Sequence, residues 1–153
     1  MKIKSILERN PIIPAIKDNI TLKKALNSNS ELVFIILASI VNIKEYCDKL
    51  KEKKKIIYVH IDMIDGLNST NNGIDYIMNT IKPDGILTTK SNVVAHAYKN
   101  NISVIQRFFI LDTLSYEKAL LNIKENKIAA AEIMPGLMPK IIKKLSQKTH
   151  IPI

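Results

Sequence analysis

Glycine is scarce in this chain, at 4 of 153 residues, and cysteine occurs once, as Cys47. With so little glycine there is no P-loop, no GxGxxG fingerprint and no nucleophile elbow. One cysteine excludes an intrachain disulfide and suits a buried structural thiol in a reducing cytoplasm. No His/Cys spacing matches a zinc site. Tryptophan is absent and aromatics make up 5% of the chain. That leaves little for base stacking, and no RNA-recognition motif is present. No window reaches the roughly 18 apolar residues of a membrane span. Met1–Asn10 alternates charge with single apolar residues and lacks the apolar core of a secretory signal. The expectation is a cytoplasmic chain without membrane contact. The tripeptides Asn68-Ser69-Thr70 and Asn101-Ile102-Ser103 match the glycosylation acceptor, but a cytoplasmic chain never meets that enzyme.

Positive charge is plentiful, with a formal net charge of +9, yet the only arginines are Arg9 and Arg107. A basic balance favours anionic partners such as RNA, phosphorylated metabolites or acidic membranes. Abundant Lys, Ile and Asn also fit the drift of an AT-rich genome. The run Lys51-Glu52-Lys53-Lys54-Lys55 reads as a solvated helix end whose cations suit the dipole.

Strands and helices alternate along the chain. The strands expected are Pro11–Lys17, Leu32–Leu37, Ile56–Ile61, Asp84–Thr88, Ile102–Ile105 and Ala129–Ile133. Between them lie helices: one capped by Thr21, one over Ile40–Lys51, and one bearing Ile74, Ile77, Met78 and Ile81. Ser91 or Asn92 caps the next, Asp112–Glu125 forms another, and Pro139 opens the last. Ile151-Pro152-Ile153 looks like the first residues of one more strand. Six βα units and the start of a seventh imply a parallel sheet with right-handed crossovers. The fold class expected is α/β, a TIM-barrel-like (βα) repeat in an incomplete barrel, with residues 1–153 as one domain. No linker or low-complexity segment interrupts it.

In such folds ligands bind at the carboxyl ends of the strands. The run Ile56–Gly66 turns there from apolar to polar. By alternation Tyr58, His60 and Asp62 share one face, and Ile57, Val59 and Ile61 the other. Lys17, Lys90 and Arg107 close three other strands, and Glu132 alternates with apolar neighbours. Cations for a phosphate and carboxylates for hydroxyls suit a small polyol phosphate, and an arginine fork binds phosphate in bidentate fashion. Each of these residues also has a plain alternative, because strands end at the surface. His60 is read as a satisfied interior histidine. Asp62, Asp65 and Glu132 are the types that hold Mg²⁺, although Asp65 before Gly66 reads as a turn residue. No resident metal, cofactor or catalytic residue is assigned.

Several blocks resemble the glycerol-3-phosphate-responsive antiterminator family. They are Asn10-Pro11-Ile12-Ile13 with Ala15-Ile16-Lys17-Asp18, Val59 through Leu67, Pro83-Asp84-Gly85-Ile86 with Thr88-Thr89-Lys90, Ile105 through Leu114, and Glu132-Ile133-Met134-Pro135-Gly136 with Pro139-Lys140-Ile141-Ile142. The resemblance implies a TIM-barrel-like regulator, not an enzyme. It would bind glycerol 3-phosphate and then an mRNA leader, preventing a terminator hairpin ahead of glycerol-utilisation genes. It places Lys17, Asp18, Asp62, Asp65, Lys90, Arg107 and Glu132 in the ligand pocket, and it assigns no RNA-contact residues. The family pattern continues past Ile153 with a glycine-rich strand–loop and a last βα unit. In barrels the loops after strands seven and eight frequently bind phosphate. A chain ending at Ile153 is therefore expected to hold the ligand weakly or not at all, and to form a homo-oligomer if a second copy pairs with its open sheet edge. The alternative functions are a phosphate-binding barrel enzyme, with Asp62 or Glu132 as acid/base or Mg²⁺ ligand, and a degenerate scaffold.

Overall fold

The computed structural model describes residues 3–125 and 127–153. Its backbone divides into two compact units, Ser5–Leu87 and Thr88–Ile153, the latter with Ile3 and Lys4.

Helix α1 (Ile3–Arg9) comes first, with Ser5–Arg9 in the first unit, followed by β1 (Ala15–Ile16) and α2 (Asn19–Leu26). β1 is shorter than the expected strand because Pro11 and Pro14 lack the N–H that a ladder needs. Asp18, not Thr21, caps α2. Its Oδ1 accepts the Thr21 N–H at 2.7 Å, and Thr21 Oγ1 accepts the Asp18 N–H at 3.0 Å. That reciprocal capping box satisfies two donors at the helix start. Strand β2 (Leu32–Ile35) follows, buried throughout, then a two-residue strand β3 (Ala38–Ser39) and helix α3 (Ile43–Glu52). Ile43, Tyr46, Cys47 and Leu50 form the buried face of α3, at the spacing of one helical stripe. Burial pushes the Cys47 thiol up to about 12.

Strand β4 (Ile56–His60) runs beside β2, with Leu32 opposite Ile56 and Ile35 opposite Val59. The chain then turns through a 3₁₀ turn, Ile61–Met63, into β5 (Ile64–Asp65). The strand alternation expected through Asp62 therefore stops at His60. β5 pairs in parallel with β3, Ser39 opposite Asp65, in a small second sheet beyond the ends of β2 and β4. No apolar run long enough to mark either strand exists in the sequence. Gly66 follows β5 at φ +78°, where a Cβ would meet Ile40 at 3.0 Å. Only glycine takes that backbone without strain. Helix α4 (Asn71–Tyr76) continues into a π-helical turn, Ile77–Ile81. Strand β6 (Gly85–Thr88) completes the order β1-β2-β4-β6, all parallel. Asp84 fixes the register there: its Oδ2 accepts the Ile57 N–H at 2.8 Å, and its N–H donates to Ile57 O at 2.9 Å.

The second unit holds α5 (Ser91–Lys99), β7 (Val104–Phe109), α6 (Thr113–Lys124), β8 (Ala130–Met134) and α7 (Pro139–Ser146). β7 and β8 are parallel, with Ile105 opposite Ala130 and Phe109 opposite Met134. β7 begins and ends later than its sequence pattern implied, so Arg107 lies inside the strand and does not close it. Asp112 caps α6 by a second reciprocal box with Ser115. At the other edge of β8, Ala131 N–H donates to Pro152 O at 2.9 Å. The terminal tripeptide thus takes the first bond of a further pairing. Among the described residues no helix is long and apolar enough to cross a membrane.

Candidate functional site

Within Ser5–Leu87, the carboxyl ends of the strands carry four of the candidate residues. Lys17 follows β1 and is exposed. Its neighbour Asp18 is half-buried, and the Thr21 N–H and hydroxyl hold its carboxyl below the ordinary carboxylate value. Asp62 sits in the 3₁₀ turn after β4 with a side chain only 9% exposed, and its Oδ2 lies 4.0 Å from Nδ1 of the buried His60. That is an electrostatic separation, too long for a hydrogen bond. Asp65 is exposed at the end of β5, and its carbonyl accepts the Ile40 N–H at 2.9 Å. The structure thus places Asp62 beside His60, holds Asp18 in a helix cap, and leaves Asp65 at a turn.

Within the second unit, Arg107 and Glu132 stand directly opposite each other on β7 and β8. Arg107 Nε donates to Glu132 Oε2 at 2.6 Å, and Nη2 donates to Oε1 at 3.2 Å. Their side chains are 17% and 27% exposed. This is a fork-to-fork pair in a half-buried setting, the arrangement that fixes a guanidinium in orientation. The guanidinium has five N–H donors, so the pair leaves donors for an anion. Lys90 follows β6 at the start of α5, and its N–H donates to the buried Thr88 hydroxyl at 3.1 Å. Gln106, buried on β7, reaches the Ser91 hydroxyl at 3.4 Å. Thr88 and Gln106 are uncharged, and a search for charged strand ends passes over them. Among the described residues no group of three His, Cys, Asp or Glu side chains is placed to hold a metal.

The model of the glycerol-3-phosphate responsive antiterminator family matches residues 12–153. This chain belongs to that family. Among solved structures it is similar to the glycerol uptake operon antiterminator regulatory protein of Listeria monocytogenes str. 4b F2365. The TM-score is 0.84 and the identity 28%, covering 92% of this chain and 76% of that one. It is also similar to the glycerol uptake operon antiterminator-related protein TM1436 of Thermotoga maritima MSB8. There the TM-score is 0.74 at 28% identity, over 87% of this chain and 76% of the other. Among curated sequences it is 28% identical over 153 residues to the uncharacterized protein YgcP of Escherichia coli (strain K12), covering all of this chain and 80% of that one. The fold is accordingly α/β and TIM-barrel-like, with parallel strands β1, β2, β4 and β6 in one unit and β7 and β8 in the other. A closed barrel of this class uses eight. The function is that of a transcription antiterminator responsive to glycerol 3-phosphate, and the family is a regulatory one.

Proposed function

We propose that this antiterminator binds glycerol 3-phosphate at the carboxyl ends of its strands and, once loaded, holds an mRNA leader so that the terminator hairpin does not form. The observation that carries the reading is the Arg107–Glu132 fork on neighbouring strands. Glu132 holds the guanidinium flat and half-buried, and the remaining N–H groups take the phosphate. Lys90 adds a second cation. In the Ser5–Leu87 unit, Asp62 is assigned on the family resemblance, and its carboxylate is nearly buried in the turn after β4. Lys17, Asp18 and Asp65 are assigned to the ligand on the family resemblance, with Asp18 already held by its cap.

Calorimetry with glycerol 3-phosphate tests this, using glycerol and inorganic phosphate as comparators. Arg107→Lys is expected to weaken binding by tenfold or more, since a lysine cannot serve carboxylate and phosphate together in the same plane. Glycerol 3-phosphate that fails to bind the wild-type chain, or binds Arg107→Lys equally well, would count against the assignment. The enzyme alternative has one feature in its favour, the His60–Asp62 pair, which is the kind of group general acid–base chemistry uses. Glycerol 3-phosphate recovered unchanged after long incubation, by phosphorus NMR, is the outcome expected of a regulator. Its steady consumption would favour the enzyme.

A further inference from the structure

The surplus positive charge is not spread along the chain. Ser5–Leu87 carries eleven Lys and Arg against ten Asp and Glu, whereas Thr88–Ile153 carries ten against four. No acid follows Glu132, and Lys140, Lys143, Lys144 and Lys148 do. On α7 and the turn after it these positions recur at three- and four-residue steps, which is one face of a helix. All four are exposed, and among the described residues none of them is in an ion pair.

A cleft of about 340 Å³ opens beside this stripe, lined by Ile110, Tyr116, Met138, Ile141 and Lys144, among others. The Lys144 ammonium stands 5.3 Å from the centre of the Tyr116 ring. The buried Tyr116 hydroxyl has no hydrogen-bond partner among the described residues. Asp112, the acid on the cleft lining, is held by the Ser115 cap. The site therefore combines a row of unpaired cations and an aromatic face beside an apolar hollow. That combination fits a single-stranded nucleic acid, with phosphates tracking the cations and a base against the ring.

We propose that α7 and the Tyr116–Lys144 cleft form the RNA-contact surface of this chain, the lysines binding backbone phosphates and the cleft receiving an unpaired base. This rests on the antiterminator reading above and adds to it the residues that would do the binding.

The test uses the full chain loaded with glycerol 3-phosphate. The probes are fluorescein-labelled leader RNA of the glycerol-uptake operon and poly(U), titrated by anisotropy across a salt series. Lys140→Gln, Lys143→Gln and Lys148→Gln together are expected to lower the slope of log affinity against log salt by about 2, at roughly 0.7 per single-strand phosphate contact. The control, Lys23→Gln, Lys24→Gln and Lys53→Gln, removes the same charge from the other unit and is expected to leave the slope unchanged. Tyr116→Leu is expected to cost about tenfold for poly(U), and Tyr116→Phe to restore binding to within a few-fold. Circular dichroism melts confirm that each variant folds. Leader RNA that does not bind the wild-type chain would overturn the antiterminator reading itself. RNA that binds wild type and the α7 variant alike, or loses as much with the control set, would overturn only the surface proposed here. So would a Phe variant as weak as Leu. Binding to phosphatidylglycerol vesicles that the α7 lysines control, with RNA binding intact, would reassign the surface to a membrane.

Discussion

Lys44, Lys49, Lys51 and Lys55 lie on or just after helix α3, and Lys140, Lys143, Lys144 and Lys148 lie on or just after helix α7. In the first set every lysine has a partner, while Lys53 and Lys54 between them are exposed. Lys44 pairs with Asp48 and Lys49 with Glu45 along the helix. Lys51 Nζ donates to Ile81 O at 2.7 Å. Lys55 Nζ donates to Ser28 O at 2.6 Å and Ser30 O at 2.8 Å. The basic run after α3 is thus more than a solvated helix end, since two of its ammonium groups tie neighbouring loops to it. In the second set Lys144 faces an aromatic ring and the others face solvent. Apolar burial differs in the same sense. α3 buries four side chains, and α7 fully buries only Leu145. Composition makes the two helices look alike, but contacts make one a structural brace and leave the other available to a partner.

The contrast can be broken most sharply in the core. Leu50→Ala in α3 is expected to cost about 2–5 kcal/mol in urea unfolding, against about 1–2 kcal/mol for the half-buried Ile142→Ala in α7. Equal losses would mean that α7 is as much a brace as α3. Next in size are the lysines themselves. Lys55→Met leaves two loop carbonyls without their donor and is expected to lose about 1–2 kcal/mol. Lys143→Met is expected to stay within about 0.5 kcal/mol of wild type, as exposed substitutions do. The smallest effect is electrostatic and concerns one helix cap in each unit. Asp18 and Asp112 are held below the ordinary carboxylate value of 3.8, first by backbone and then by side-chain hydrogen bonds, from Thr21 and Ser115 respectively. A carboxyl with a lowered folded pKa adds stability that is fully present above its unfolded pKa. That stability is lost as pH falls through the folded value. Melting temperature is therefore expected to drop more steeply below pH 3.8 for wild type than for Asp18→Asn or Asp112→Asn. Acid slopes unaffected by either substitution would remove the caps from the account.

Much of the architecture is legible in the sequence. The strands Leu32–Ile35 and Gly85–Thr88 are buried throughout, and continuous apolar runs of that kind mark strands covered on both faces. The α3 stripe was equally plain. Boundaries moved where local chemistry competed with periodicity. Asp18 displaced Thr21 as the cap, and the chain left the strand at Ile61. The small β3–β5 sheet and α1 were missed, the first because two-residue strands have no period to detect, the second because charge interrupts its apolar positions.

The candidate site was legible as a set of residue types and not as an arrangement. Lys17, Asp62, Lys90, Arg107 and Glu132 stand out because charge at the end of an apolar run is conspicuous in one dimension. That Arg107 and Glu132 face each other depends on the register of β7 against β8, which no feature of either segment reveals alone. Tyr116 illustrates the same limit, since helical spacing put it on an apolar face while packing buries its hydroxyl and sets its ring beside Lys144.

The sequence by itself therefore determined the alternation of strands and helices, the family, and the excess of lysine, because these are properties of order and composition along the chain. Tertiary structure alone decided which charges are paired, which carbonyls the α3 lysines hold, and where an aromatic ring lies open beside a cation. Those outcomes depend on distances between segments far apart in sequence: a hydrogen bond is lost beyond about 3.5 Å, and exposed charges are screened beyond about 10 Å.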